Sequence, residues 1–444
     1  MTMGPNKLDP AAFRRLAAMV NRDQNGERKM ATVTLPGDGD LLVEPTPKGL
    51  TRAGAARLDA IDMLRGLVIA IMVLDHSRDF FHYYALRLDP TDPAKTWPML
   101  FATRWVTHLC AATFVFLAGV SIYFQKANGK PGLPAFLIKR GLWLILLEFT
   151  VISFGFNFHE PFLFLQVIWA IGASMICMSL ISRLSARWVL GLGLAILLLY
   201  PFALAATAHA TVDATRAGSA GATDLLGVIR TVALAPGMLG PHVLAYYAFI
   251  PWLSIMCLGF GLGPIYRLDQ AERTRRLLPI AIGLLVAFVL LRLIDTYGDP
   301  SPWVHQATPV RTLMSFMNVS KYPPSPDYAF ATLGVSILLF LALDKLRGPL
   351  ARLLLAYGRT PLFTYVCHIY ILHLIMLGAV VAFGFPVTVA TDTVISTKVM
   401  DYGWGFGLPV VYTVWLLVLT LLAPFSLWFS ALKARRRDWW LSYL

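Results

Sequence analysis

Charge is what this chain has least of. Only 14% of its 444 residues are Asp, Glu, Lys or Arg, while 57% are hydrophobic; a soluble domain has about 25% charged and about 45–50% apolar residues. A water-facing surface cannot be made from such a composition, so a soluble globular fold is excluded and lipid must cover the excess. Backbone groups left unpaired in hydrocarbon are costly, so each long apolar stretch is expected to cross the roughly 30 Å core as a helix of about 20 residues. Cysteine is also scarce. Cys110, Cys177, Cys257 and Cys367 all fall inside apolar stretches and no Cys-x-x-Cys occurs, which argues against a disulfide framework or a thiolate-held metal and reads them as small core residues. Gly-x-Ser-x-Gly, a P-loop and a dinucleotide fingerprint are absent, so a serine-triad hydrolase or a nucleotide-driven motor has no support. No internal repeat is visible, and with it goes the inverted-repeat transporter plan.

What remains points to an all-α fold, a polytopic transmembrane helical bundle of about ten spans. They are expected at about 64–84, 104–124, 136–156, 161–182, 187–207, 243–265, 277–294, 328–344, 361–384 and 408–430. Residues 1–56 are polar and proline-rich without a signal-peptide core, and are expected as a disordered cytoplasmic tail. A transmembrane domain would then occupy 57–432 and a basic, aromatic cytoplasmic tail 433–444. The net charge of +13 arises from Lys and Arg in short connections, so it reads as topology and not as a nucleic-acid footprint. Threaded from a cytoplasmic N-terminus, Lys126, Lys130, Arg183, Arg187, Arg267, Arg273, Arg275, Arg276, Lys345, Arg347, Arg352, Lys433 and Arg435 to Arg437 all fall on one side. That side is the cytoplasm, both termini included. The long connections near 85–103, 208–242, 295–327 and 385–406 fall on the other, where loops of that length are often functional.

The densest chemistry lies on the first span. Arg57-Leu-Asp-Ala-Ile-Asp62-Met-Leu-Arg65-Gly66 leads into an apolar run and then Asp75-His76-Ser77-Arg78-Asp79-Phe80-Phe81-His82. Arg65 and His76 are eleven residues apart, three helical turns, so they share a face about 16 Å apart along the axis. His76 and Asp79 are spaced to touch, and a carboxylate there would orient the imidazole as a general base. The competing reading makes Asp75, Arg78, Asp79 and His82 interfacial residues snorkelling to headgroups. Arg65 could hold phosphate or a thioester carbonyl with its planar fork, or serve as a positive-inside anchor paired with Asp62. His108, Glu148, Gln166, His368 and His373 are further polar groups within spans, where they mark either a cavity or interhelical hydrogen bonds. His368 and His373 are five apart, about 140° around the helix, so at most one is expected to share a cavity with His76. A metal site from His76, Asp79, His82 and His108 has only loose spacing behind it, and no metal is expected.

Arg65-Gly66-Leu67, Asp75 to Phe81, Thr107-His108-Leu109-Cys110-Ala111 and Phe116-Leu117-Ala118-Gly119 together resemble the bacterial DUF1624 proteins, grouped with the catalytic domain of heparan-alpha-glucosaminide N-acetyltransferase. The likeness continues in Lys321-Tyr322-Pro323-Pro324-Ser325, in Tyr357-Gly358-Arg359-Thr360-Pro361-Leu362-Phe363 to His368, and in Trp439-Trp440-Leu441-Ser442-Tyr443-Leu444, covering about 55–444. The Arg65-to-His76 spacing is also similar to the Arg-x10-His pattern of acyltransferase-3 membrane proteins. These resemblances imply that acyl-CoA enters from the cytoplasm and that its acyl group passes to a sugar on the far side. The lysosomal member has asparagine at the place of His76, and its reactive histidine falls at about Arg87 here, with His82 the nearest substitute.

The expected function is therefore an integral acyltransferase of the bacterial inner membrane, moving an acetyl or short acyl group from cytoplasmic acyl-CoA to an extracytoplasmic glycan. His76, Asp79 and His108 are the catalytic candidates; Arg65, and through its motif Arg359, bind the donor. Asp75, Arg78, His82, Glu148, Gln166 and His368 line the acceptor cavity. Partners are the bilayer, acyl-CoA and the glycan, with no nucleic acid and an undetermined oligomeric state. The rival is a proton-coupled transporter or flippase, since a file of Asp, Glu and His suits proton relay equally well.

Overall fold

The first span begins with Asp59 and Asp62, acidic groups that favour a helix N-terminus, and in the computed structural model it runs as α1, Asp59–Phe81. The structure describes residues 58–83, 89–93, 95–158, 162–207, 225–391, 402–436, 438 and 441. The expected N-terminal tail and half of the C-terminal one lie outside them. After α1 come α2 (Pro98–Ala127), α3 (Leu133–Leu147), a π turn (Glu148–Ile152), α4 (Ser153–Asn157) and β1 (Leu163–Leu165). Next are α5 (Val167–Ile181), α6 (Ala186–Ala206), α7 (Leu225–Ala233), β2 (Gly237–Gly240), β3 (Val243–Ala245), α8 (Phe249–Tyr266) and α9 (Gln270–Ile294). The chain ends with α10 (Pro309–Met317), α11 (Pro326–Leu343), α12 (Pro349–Arg359), α13 (Pro361–Ala382), α14 (Thr388–Thr391) and α15 (Leu408–Arg435).

The all-α membrane bundle stands, but the count of ten spans needs correction. Among the described residues seven helices, α2, α6, α8, α9, α11, α13 and α15, are long and apolar enough to cross a membrane. The other three expected segments are helical and fail for separate reasons. Six charged residues lie on α1, the π turn cuts α3 from α4, and α5 has only 15 residues. The Glu148 carbonyl accepts the Ser153 backbone N–H of the widened turn and also the Ser153 hydroxyl at 2.7 Å.

Two populations of helix divide the bundle. In α2, α8 and α11 about 70% of the apolar window is buried (72%, 67% and 72%), whereas in α6, α9 and α15 it is 22%, 22% and 28%. The first group forms the interior, where α2 and α11 pack on α1 and α8 packs on α2. The second turns Leu199, Phe202, Ile282, Leu290, Leu416 and Phe425 outward, the surface lipid would cover. Beside α1 lies α12, and the close approach depends on two glycines. A Cβ on Gly66 would strike the Leu354 backbone, and one on Gly358 the Asp62 backbone.

The small sheet was not foreseen. Strand β1 pairs parallel with β3 (Leu163↔Val243, Leu165↔Ala245) and β2 pairs antiparallel with β3. Beside it, the connection before α11 is anchored by Arg292 of α9. That guanidinium donates to the carbonyls of Phe316 (2.9 Å), Ser301 (2.9 Å), Ser315 (3.0 Å) and Asn318 (3.2 Å). Asp299 accepts from the backbone N–H (2.7 Å) and hydroxyl (3.0 Å) of Ser320. Lys321 and Tyr322 are fixed by these bonds.

Candidate functional site

Three cavities follow one another along α1. The first, of about 290 Å³, has Arg65, Gln125 and Arg140 among its lining groups, with apolar walls of Phe114, Ile122, Phe136, Ile168 and Met175. Arg65 donates to Asp62 at 2.8 Å and to Ser121 Oγ at 2.5 Å, which fixes its fork at the rim. The second cavity, about 270 Å³, holds Asp75, His76, Arg78, Asp79, Gln166, Lys321 and Tyr322, with the sheet residues Phe164 and Leu244 in its wall. Met72, Phe114, Val167 and Tyr365 belong to both linings, so the two meet at a neck. The third, about 370 Å³, shares Arg78, Arg104, Tyr246, Lys321 and Tyr322 with the second and adds His108, Asp89 and Thr91.

At the neck's far side His76 Nδ1 and His368 Nε2 are 2.7 Å apart. The ring roles follow from the neighbour behind them: His368 Nδ1 lies 3.3 Å from the Thr364 carbonyl, which can only accept, so that nitrogen carries the proton. His368 Nε2 then offers a lone pair, His76 Nδ1 donates to it, and His76 Nε2 is left with its lone pair available. A backbone carbonyl on α13 thus fixes the tautomer of a residue on α1.

Beside this pair is a buried charge network. Asp75 accepts from Arg104 at 2.8 and 3.0 Å and from Thr107 Oγ at 2.9 Å, and Arg78 lies 3.0 Å from it. Arg78 also bonds Asp79 at 2.6 Å. Several partners per carboxylate are what a buried ion cluster needs to repay desolvation. Nε and Nη1 of Arg78 have no protein partner and the residue lines both outer cavities. Tyr322 sits beside Lys321 with its phenol held below the usual range; burial opposes this, but the Lys321 and Arg104 cations prevail.

Residues 57–292, more than half of the chain, match the family model described as heparan-alpha-glucosaminide N-acetyltransferase, catalytic. The chain belongs to this family. No curated protein matches it. The heparan-alpha-glucosaminide N-acetyltransferase match takes in α1, α2 and the sheet, and ends at residue 292, short of the likeness through residue 444 that the motifs imply. His368, Lys321, Tyr322 and Tyr365 lie beyond it. The family is one of membrane acetyltransferases.

Against this family frame, the expected site residues fall into three groups. Arg65 lines the first cavity, and Asp75, His76, Arg78, Asp79 and Gln166 line the second. His368 stands behind His76, while His108 opens on the third cavity with Nδ1 3.2 Å from the Arg104 carbonyl. His373 is turned away, between the carbonyls of Gly155 (2.8 Å) and Ala390 (2.5 Å). Three residues lie off the path. Glu148 is fully buried and accepts from the Trp169 N–H at 2.7 Å, so it serves the exposed donors at the start of α5. Arg359 pairs with Asp59 at 2.9 Å on the surface. His82 stacks on Tyr83 (4.5 Å) and approaches Trp97 (5.8 Å); burial, with Arg78 adding to it, pushes its imidazole down to about 4.

The expected Asp79–His76 hydrogen bond gives way to Arg78–Asp79 and His76–His368. Among the described residues, His76, Asp79, His82 and His108 do not gather into a metal-holding group. Sequence reading gave no role to Arg104, Arg140, Tyr246, Lys321, Tyr322 or Tyr365. For Lys321 and Tyr322 the signal was their place in a family motif; for Arg104, a lone cation in an apolar span.

Proposed function

We propose that this protein transfers an acetyl or short acyl group from cytoplasmic acyl-CoA to a hydroxyl or amine of an extracytoplasmic glycan. The reading is carried by one observation: the cavity rimmed by Arg65 and Arg140 meets, across a shared neck, the cavity holding the oriented His76. Arg65 and Arg140 suit the phosphates of the donor, and the apolar walls suit its narrow arm. Bringing the thioester to the neck puts it beside His76 Nε2. There the imidazole accepts the acceptor's proton as the new bond to the carbonyl carbon forms. The proton then goes to the departing thiolate. Asp79, in the same cavity, supports the imidazolium through space, and His108 and Arg78 contact the acceptor.

Packing supports an orientation. Asp59 pairs with Arg359, Phe363 stacks on Phe429 at 4.2 Å, and Pro361 lines the cavity of Arg65. These contacts group the start of α1, the end of α15 and the donor mouth on one side, and the proposal takes that side, by its Lys and Arg, as the cytoplasmic face of a bacterial inner membrane. The test is acetyl-CoA supplied inside or outside proteoliposomes, with thiol release measured beside label on an envelope-glycan extract. Release from the donor-mouth side with label on glycan is expected. Solute uptake without thiol release would instead establish the transporter.

A further inference from the structure

We infer that the Tyr365 hydroxyl is the hydrogen-bond donor to the acyl carbonyl oxygen during transfer, an inference that rests on the transferase reading above. Tyr365 lines both the first and the second cavity, so it stands where a donor entering from one side meets an acceptor entering from the other. It precedes His368 by three residues on α13, which puts both on one helix face. Its ring centroid lies 5.3 Å from that of His368 and 6.3 Å from that of His76.

Its hydroxyl differs from those of other tyrosines in the bundle. Tyr200, Tyr328, Tyr357 and Tyr370 each donate to a backbone carbonyl at 2.6–2.7 Å. The Tyr365 hydroxyl has no protein partner although the residue is 3% exposed. Buried phenols normally find an acceptor, and phenylalanine would fill the same volume without the cost of an unmet donor. A buried donor without a partner, on a residue that lines both cavities, fits an acceptor that arrives with the ligand.

The electron flow gives that donor its use. The acceptor's oxygen or nitrogen bonds to the carbonyl carbon while its proton passes to His76 Nε2, and the carbonyl π pair moves onto oxygen. Tyr365 donates to this oxyanion without giving up its proton. The oxyanion pair then re-forms C=O, the C–S bond breaks, and the sulfur leaves with the C–S bonding pair and takes the proton from His76. Donors fixed in advance where charge develops are among the strongest contributors to acyl transfer.

The experiment uses the full chain in proteoliposomes, with acetyl-CoA as donor and an envelope-glycan extract as acceptor. Tyr365→Phe should lower turnover about 100-fold, leave acetyl-CoA affinity within about twofold, and keep a thermal midpoint no lower than the unsubstituted protein's. Fluorotyrosine at 365 keeps the ring and hydroxyl but is more acidic, so the alkaline limb of turnover should move to lower pH. Unchanged turnover in Tyr365→Phe overturns the inference, as does an unmoved alkaline limb, which a purely structural role predicts. If the unsubstituted protein neither binds acetyl-CoA nor releases thiol, the transferase reading fails and this role fails with it.

Discussion

The two ends of the cavity path are made of different material. Around Arg65 most of the wall is Phe, Ile, Leu and Met, with Arg65, Gln125 and Arg140 spaced along the rim. Around His76 the wall holds Asp75, Arg78, Asp79, Arg104 and Lys321, several of them bound to one another. A site that holds a long flexible anion needs cations at its mouth and a smooth lining behind. A site that moves a proton needs its groups held in one geometry, and mutual hydrogen bonds in a low dielectric do that. The transferase proposal accordingly puts the chemical step past the neck, on the side of His76.

The sharpest way to break the comparison is His76→Ala. Turnover, read as thiol release, should fall about 10³-fold, within the range for a lost general base, with acetyl-CoA affinity nearly unchanged. Equal losses of binding and rate would mean that the two ends are not chemically distinct. Next in size is Arg104→Ala, which leaves Asp75 buried with fewer partners. Removing one member of such a pair costs about 3 kcal/mol or more, to be seen as a lowered unfolding midpoint in detergent. Arg65→Lys keeps the charge but loses the planar fork that bonds Asp62 and Ser121. Donor affinity by equilibrium binding should weaken about tenfold, roughly 1.4 kcal/mol, while the maximal rate holds. Least affected should be Arg359→Ala. Its pair with Asp59 has side-chain exposures of 39% and 53%, so stability should change by no more than about 0.5 kcal/mol. A large loss of donor affinity there would extend the donor end beyond its present rim.

Much of the architecture was legible from local order. Apolar runs marked where helices form, and eleven-residue spacing put Arg65 and His76 on one face, where they line successive cavities. What misled was the same locality. Asp79 was the natural partner for His76 by helical spacing, yet its immediate neighbour Arg78 holds it, and a histidine 292 residues away takes its place. Glu148 read as a cavity group because a carboxylate in an apolar span needs a purpose; its partner is the Trp169 N–H, met only once α5 is packed alongside. Arg359 was expected at the donor site through a family motif; its guanidinium pairs with Asp59, and Gly358 before it lets α12 approach α1.

Composition alone pointed to a membrane-embedded helical protein, because too little charge leaves no other way to satisfy backbone and surface, and residue order put polar groups along its first helix. Tertiary structure alone decided which polar groups meet. Hydropathy cannot separate α2 from α6, both apolar enough to span, but packing buries 72% of one window and 22% of the other. Nor can spacing on one helix predict that a carbonyl at Thr364 fixes the proton on His368 and so opens the lone pair of His76. Those contacts are set by how helices distant in sequence cross, and hydrogen bonds a few ångströms long exist only after they have crossed.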